Sequence, residues 1–130
     1  MSSEPFRILV VEDEPVIREL VRSMLTEDGV EVECAANGIE GLKLARTSRF
    51  DLILLDVVLP QMDGITVCRL LKADPSTAAV PLHMLTAKAK KSDVEAATRA
   101  GANGYIHKPF RGAELLDLVA GLRAARVGKD

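Results

Sequence analysis

A chain of 130 residues, 48% of them hydrophobic, can bury one ordinary core, so a single domain over residues 1–130 is expected, with an ordered part of about residues 6–126. Lys and Arg number 17 against 19 Asp and Glu, and the formal net charge of -2 gives no general attraction to nucleic acid or an anionic membrane. Apolar runs such as Leu52 to Leu55 fall far short of the ~20 residues of a membrane span, and no signal-peptide pattern opens the chain, so a cytoplasmic location is expected. Cys34 and Cys68 are isolated, without CxxC spacing or a neighbouring His at ligand distance, and read as reduced thiols.

In chain order, the first predicted strand is Ile8 to Val11, apolar without alternation, as when both faces of a strand are covered. A helix follows, with Ile17, Leu20, Val21, Met24 and Leu25 on one face. The second strand is Val30 to Ala35 and the second helix about Gly38 to Thr47. The third strand, Leu52 to Leu55, is again wholly apolar, and the third helix runs from about Gly64 to Ala73, where Asp74-Pro75 stops it. Pro81 to Leu85 reads as the fourth strand, about Lys90 to Ala100 as a helix closed by Gly101, and Gly104 to Ile106 as the fifth strand. The last helix carries Leu115, Leu118, Val119 and Leu122 on one face. Met1 to Pro5 and Val127 to Asp130 are expected to fray. Five strands alternating with five helices predict a doubly wound α/β fold with a parallel sheet, in which ligands bind beyond the carboxyl ends of the strands.

Those ends carry the chemistry. Strand one runs into Glu12-Asp13-Glu14 and strand three into Asp56, so carboxylates from two strands can converge, and a hard cation such as Mg²⁺ relieves their repulsion. Strand four runs into Thr86-Ala87 and strand five into Lys108-Pro109, a candidate cis bond. Each has a plainer reading alone: Glu14 as a helix-start carboxylate, Thr86 as a cap, Lys108 as a solvated ammonium. Together they supply the parts of phosphoryl transfer: carboxylates for a metal, one carboxylate nucleophile, and Lys and Thr for the transferred oxygens.

In order and spacing, Glu12-Asp13, the segment Asp56-Val57-Val58-Leu59-Pro60-Gln61-Met62-Asp63-Gly64, Thr86-Ala87 and Lys108-Pro109-Phe110 resemble the receiver domains of response regulators. The stretches Thr86 to Lys91 and Ala100 to Tyr105 are similar to the single-domain chemotaxis regulator, whose flavodoxin-like strand order, 2-1-3-4-5, the resemblance carries over. The resemblance implies a phosphorylation switch in a two-component phosphorelay. Asp56 would accept the phosphoryl group from a histidine kinase or phosphotransfer protein; Glu12, Asp13, Asp56 and the main-chain carbonyl of Val58 would hold Mg²⁺. Lys108 and Thr86 would contact the phosphoryl oxygens, and Tyr105 would move inward with Thr86. A helix 4, strand 5, helix 5 face including Lys91 would bind a downstream protein, with the protein a monomer or a weak phosphorylation-dependent dimer. Direct DNA contact, membrane insertion and enzymatic activity beyond slow self-dephosphorylation are not expected.

Glu12 stands where the family more often has Asp. The resemblance implies that Val58 and Lys88 border the path of the hydrolytic water and would bear on how long the phosphoryl group survives. His83 reads as a core histidine, His107 as partly exposed, and Pro60 and Gly64 as turn residues. The competing functions are an aspartate-nucleophile phosphatase, which would want a second carboxylate at the position of Val58, and a receiver cut from a longer regulator or hybrid kinase.

Overall fold

The computed structural model describes residues 4–87 and 90–128. Strands β1 (Phe6–Val11), β2 (Val30–Ala35), β3 (Leu52–Asp56), β4 (Leu82–Thr86) and β5 (Gly104–His107) alternate with helices α1 (Pro15–Leu25), α2 (Gly38–Thr47), α3 (Gly64–Ala73), α4 (Lys91–Arg99) and α5 (Gly112–Gly128). All neighbouring strands pair in parallel, in the order β2-β1-β3-β4-β5. This is the doubly wound arrangement expected from the sequence.

Alternation along the strands divides the core into two layers. Leu9, Val11, Ile53, Leu55, Leu82 and Met84 meet Leu42 and Ala45 of α2, Val67, Cys68 and Leu71 of α3, and Ala97 of α4. Ile8, Val10, Leu52, Leu54, Leu85 and Ile106 face the other way, onto Val21 and Leu25 of α1 and Leu115 and Val119 of α5. Every residue of β3 is buried, which explains its unbroken apolar run and places Asp56 at the end of the best-protected strand.

The helices begin and end on local chemistry. Asn37 accepts a hydrogen bond from the Glu40 N–H, Asp63 accepts from the Thr66 N–H at 3.0 Å, and Gly101 at φ 104° follows α4 in a conformation that suits glycine. Strand four differs from its predicted bounds, because Pro81 has no N–H; its carbonyl accepts from the Ile53 N–H at 2.9 Å while regular pairing starts at Leu82 and runs on to Thr86. Leu20 departs from the expected buried stripe of α1 and is 43% exposed. Arg126 donates from Nη1 to the Pro5 carbonyl and from Nη2 to the Glu4 carbonyl, so α5 clamps the segment leading into β1, and α5 itself continues to Gly128. Met1 to Ser3, Lys129 and Asp130, and Lys88 with its expected role, lie outside the described residues.

Candidate functional site

Parallel strands deliver their carboxyl ends to one edge, and there the chain sets Glu12, Asp56, Thr86 and Lys108 side by side. The Glu12 N–H still donates to the Ala35 carbonyl, which extends the sheet by one residue, and Arg18 Nη1 donates to the Glu12 carbonyl at 2.9 Å. Asp13 is exposed, whereas Glu12 and Asp56 are buried. One carboxylate oxygen from each of Glu12, Asp13 and Asp56 lies within 4.8 Å of the others, close enough to share one ion among oxygen ligands.

Lys108 lies across this cluster. Its Nζ donates to Glu12 Oε2 at 2.6 Å and to Asp56 Oδ2 at 2.9 Å, while its main-chain N–H donates to the Thr86 carbonyl at 2.8 Å. The other Asp56 oxygen, Oδ1, accepts from the Val58 N–H at 3.0 Å. Burial raises Glu12 to about 7; its bond to Lys108 pulls the other way, and Asp56 adds to the rise. Burial alone would lower Lys108, but its bonds to Glu12 and Asp56 outweigh that and hold its proton more firmly than in water. The ammonium thus neutralises part of a carboxylate cluster that burial disfavours.

Thr86 is fully buried and hydrogen-bonds with Tyr105, whose phenol is raised mainly by burial. The two residues assigned to the switch therefore touch. Val58 is 52% exposed at the mouth, and the Lys108-Pro109 bond is cis. Ile17, Leu20, Ala87, Pro109 and Phe110 surround the Lys108 side with a largely apolar cavity of about 300 Å³. His107 is exposed; His83 is partly buried over Gly104, its neighbour across β4 and β5, and burial lowers its pKa.

Gly64, expected as a turn residue at the start of the third helix, also makes a close approach to the main chain. It opens α3, and a β-carbon there would lie 2.0 Å from the Asp56 carbonyl oxygen and 2.8 Å from the Val57 Cα. Its N–H donates to the Val57 carbonyl at 2.8 Å, so the start of α3 rests directly on the main chain of Asp56. Gln61 at φ 69° was missed, since glutamine gives no local signal for that conformation.

A doubly wound parallel sheet thus gathers Glu12, Asp13, Asp56 and Lys108 at the carboxyl edge of its strands. Residues 8–120 match the response regulator receiver domain family, and the chain belongs to that family. It is 43% identical over 122 residues to the transcriptional regulatory protein CseB of Streptomyces avermitilis, covering 94% of this chain and 49% of that one. Among solved structures, the receiver domain of the sensor histidine kinase PA1611 from Pseudomonas aeruginosa PAO1, which has a magnesium ion coordinated in its active site cleft, is 38% identical with a TM-score of 0.82, covering 88% of this chain and 94% of that one. The chemotaxis protein CheY4 of Vibrio cholerae is 32% identical with a TM-score of 0.84, covering 91% and 98%. The chain spans about half the length of the curated relatives it matches. It is a receiver domain of the two-component class, built to act as a phosphoacceptor switch.

Proposed function

We propose that this receiver is switched by a phosphoryl group on Asp56, in a reaction that requires Mg²⁺ held by Glu12, Asp13, Asp56 and the carbonyl of Val58. The observation that carries this reading is the convergence of the three carboxylates within 4.8 Å under the Lys108 ammonium. Mg²⁺ would supply positive charge to the phosphoryl oxygens. Asp56 attacks the phosphorus of a phosphohistidine on a histidine kinase or phosphotransfer protein, forming an acyl phosphate as the P–N bond breaks and the imidazole takes a proton. Lys108 is within reach of the new phosphoryl oxygens because it already bonds Asp56.

Thr86 would turn its hydroxyl from Tyr105 to the phosphoryl group, and Tyr105 would follow, carrying the change to the face of α4, β5 and α5, where Lys91 and His107 are exposed. A downstream protein would read that face, with the receiver a monomer or a weak phosphorylation-dependent dimer. Among the described residues no helix is long and apolar enough to cross a membrane, in keeping with a cytoplasmic role. A switch rather than a hydrolase fits Val58, which offers no acid or base where a phosphatase would want a carboxylate. We read the described residues as one receiver domain. The half-length match to proteins named as transcriptional regulators favours a second reading of its output, in which the receiver controls a covalently attached domain. Incubation with acetyl phosphate and Mg²⁺, with Asp56→Asn as control, tests the site; the mass of the full-length product in its native cell distinguishes the two outputs.

A further inference from the structure

A second concave surface lies between α2 and the β3–α3 loop. It has a volume of about 420 Å³ and is lined by Ile39, Leu42, Lys43, Arg46, Thr47 and Met62. Ile39 turns outward, 55% exposed, although Leu42 and Ala45 of the same helix are buried in the core. Ile39, Leu42 and Met62 give the groove an apolar lining, and Lys43 and Arg46 bring two cationic side chains to it, that of Arg46 shared with Asp74. Arg46 pairs with Asp74 at 3.3 Å across a partly exposed contact, and Lys43 forms no ion pair among the described residues.

This groove is tied to the loop that leaves Asp56. Gly38 opens α2, and a β-carbon there would lie 3.1 Å from the Met62 carbonyl oxygen and 2.7 Å from Val67 Cγ2, so the helix seats directly on the loop. Met62 is carried by a three-residue turn in which its N–H donates to the Pro60 carbonyl at 2.7 Å around Gln61 at φ 69°. Left-handed backbone at a residue with a β-carbon is strained and persists only where its surroundings hold it. One end of this strained turn leads back to Val58 and Asp56; the other supplies part of the groove.

We propose that the groove docks a short amphipathic segment of a partner protein, a large apolar side chain packing on Ile39, Leu42 and Met62 and carboxylates meeting Lys43 and Arg46, and that occupancy is coupled through Pro60 to Met62 to the state of Asp56. The rim charge selects an acidic occupant, and the small apolar base takes a side chain or two rather than a lipid surface. Docking stands on the groove alone, whereas the coupling rests on the proposed role of Asp56 and must be reciprocal.

The probe is a blocked synthetic peptide with Leu and Phe on one helical face and Glu beside them, titrated into the isotope-labelled 130-residue chain by NMR. Saturable shifts are expected at Ile39, Lys43, Arg46 and Met62. Binding should weaken about tenfold in Lys43→Glu/Arg46→Glu, and about tenfold when Lys replaces Glu in the peptide. Ile39→Ala, at an exposed position, should also weaken binding and keeps the test open if the charge-reversed variant does not fold. Shifts centred elsewhere, equal binding of both peptides, absence of saturable binding, or concentration-dependent shifts at these residues without peptide, which would mean a second copy, each overturn the docking. With Mg²⁺ and beryllofluoride the peptide affinity should change at least about threefold, and not in Asp56→Asn. An unchanged affinity in a chain that takes up beryllofluoride overturns the coupling alone; failure to take it up removes the coupling together with the reading of Asp56.

Discussion

Replacing Gly64 with Ala is the sharpest mechanical test of the site. The added methyl would stand 2.0 Å from the Asp56 carbonyl oxygen, 2.8 Å from the Val57 Cα and 2.9 Å from the Asp56 carbonyl carbon, all main-chain atoms. No flexible side chain can give way, so α3 or the end of β3 must move by about 1 Å to restore ordinary contact. Overpacking of this kind costs about 1–3 kcal/mol, and the rigid surroundings put it at the upper end. Gly121→Ala in α5 is the control, since a β-carbon there meets nothing within 4 Å and helix propensity should stabilise by about 1 kcal/mol. Urea denaturation should therefore move the two variants in opposite directions, the first by about 1 M or more to lower midpoint. A shift of about 1 Å also misplaces the Val58 carbonyl, and phosphorylation from acetyl phosphate should slow by about a hundredfold. Wild-type stability and phosphorylation rate in Gly64→Ala would refute the account of α3 resting on the main chain of Asp56.

Mg²⁺ should raise the melting temperature, because it relieves the repulsion among Glu12, Asp13 and Asp56, and Asp13→Ala should remove most of that rise; an undiminished rise by thermal unfolding would exclude Asp13 as a ligand. Glu12 is raised from 4.5 to about 7, so the folded chain binds its proton more tightly than the unfolded chain. Its deprotonation then opposes folding progressively from about pH 4.5 to 7, on the order of 3 kcal/mol in the absence of metal, and Mg²⁺ affinity by calorimetry should rise with proton release over the same upper range. An affinity flat from pH 6 to 8 would contradict this. Val58 cannot orient a water, so phosphoryl loss should quicken several-fold in Val58→Asn, about 1 kcal/mol of positioning, and identical decay rates would make Val58 a spectator.

The parts of the fold readable in the sequence are those with local signals. Leu52 to Leu55 is apolar on both faces because β3 is buried on both, and Asp74-Pro75 ends α3 because the residue before proline avoids the helical region. The convergence of Glu12, Asp56, Thr86 and Lys108 was legible because each sits at the carboxyl end of a strand, where topology brings separate acidic, hydroxyl and ammonium groups together. What stayed hidden depends on distant partners. Arg126 reads as a surface cation until its bonds to Glu4, Pro5 and Asp51 are seen. Lys72 likewise donates to the Ala78 and Val80 carbonyls and to Asn103, tying α3 to the start of β5. Leu20 obeys the helical period but faces the cavity beside Phe110, since the period shows which residues share a face and not how far the covering reaches.

The central claim is that Asp56 is the one phosphoacceptor of a Mg²⁺-dependent switch, and intact mass after incubation with acetyl phosphate tests it most directly. One added phosphoryl group is expected with Mg²⁺, none after chelation, and none in Asp56→Asn. Labelling of Asp56→Asn to the same extent, or labelling that persists without Mg²⁺, would contradict the account.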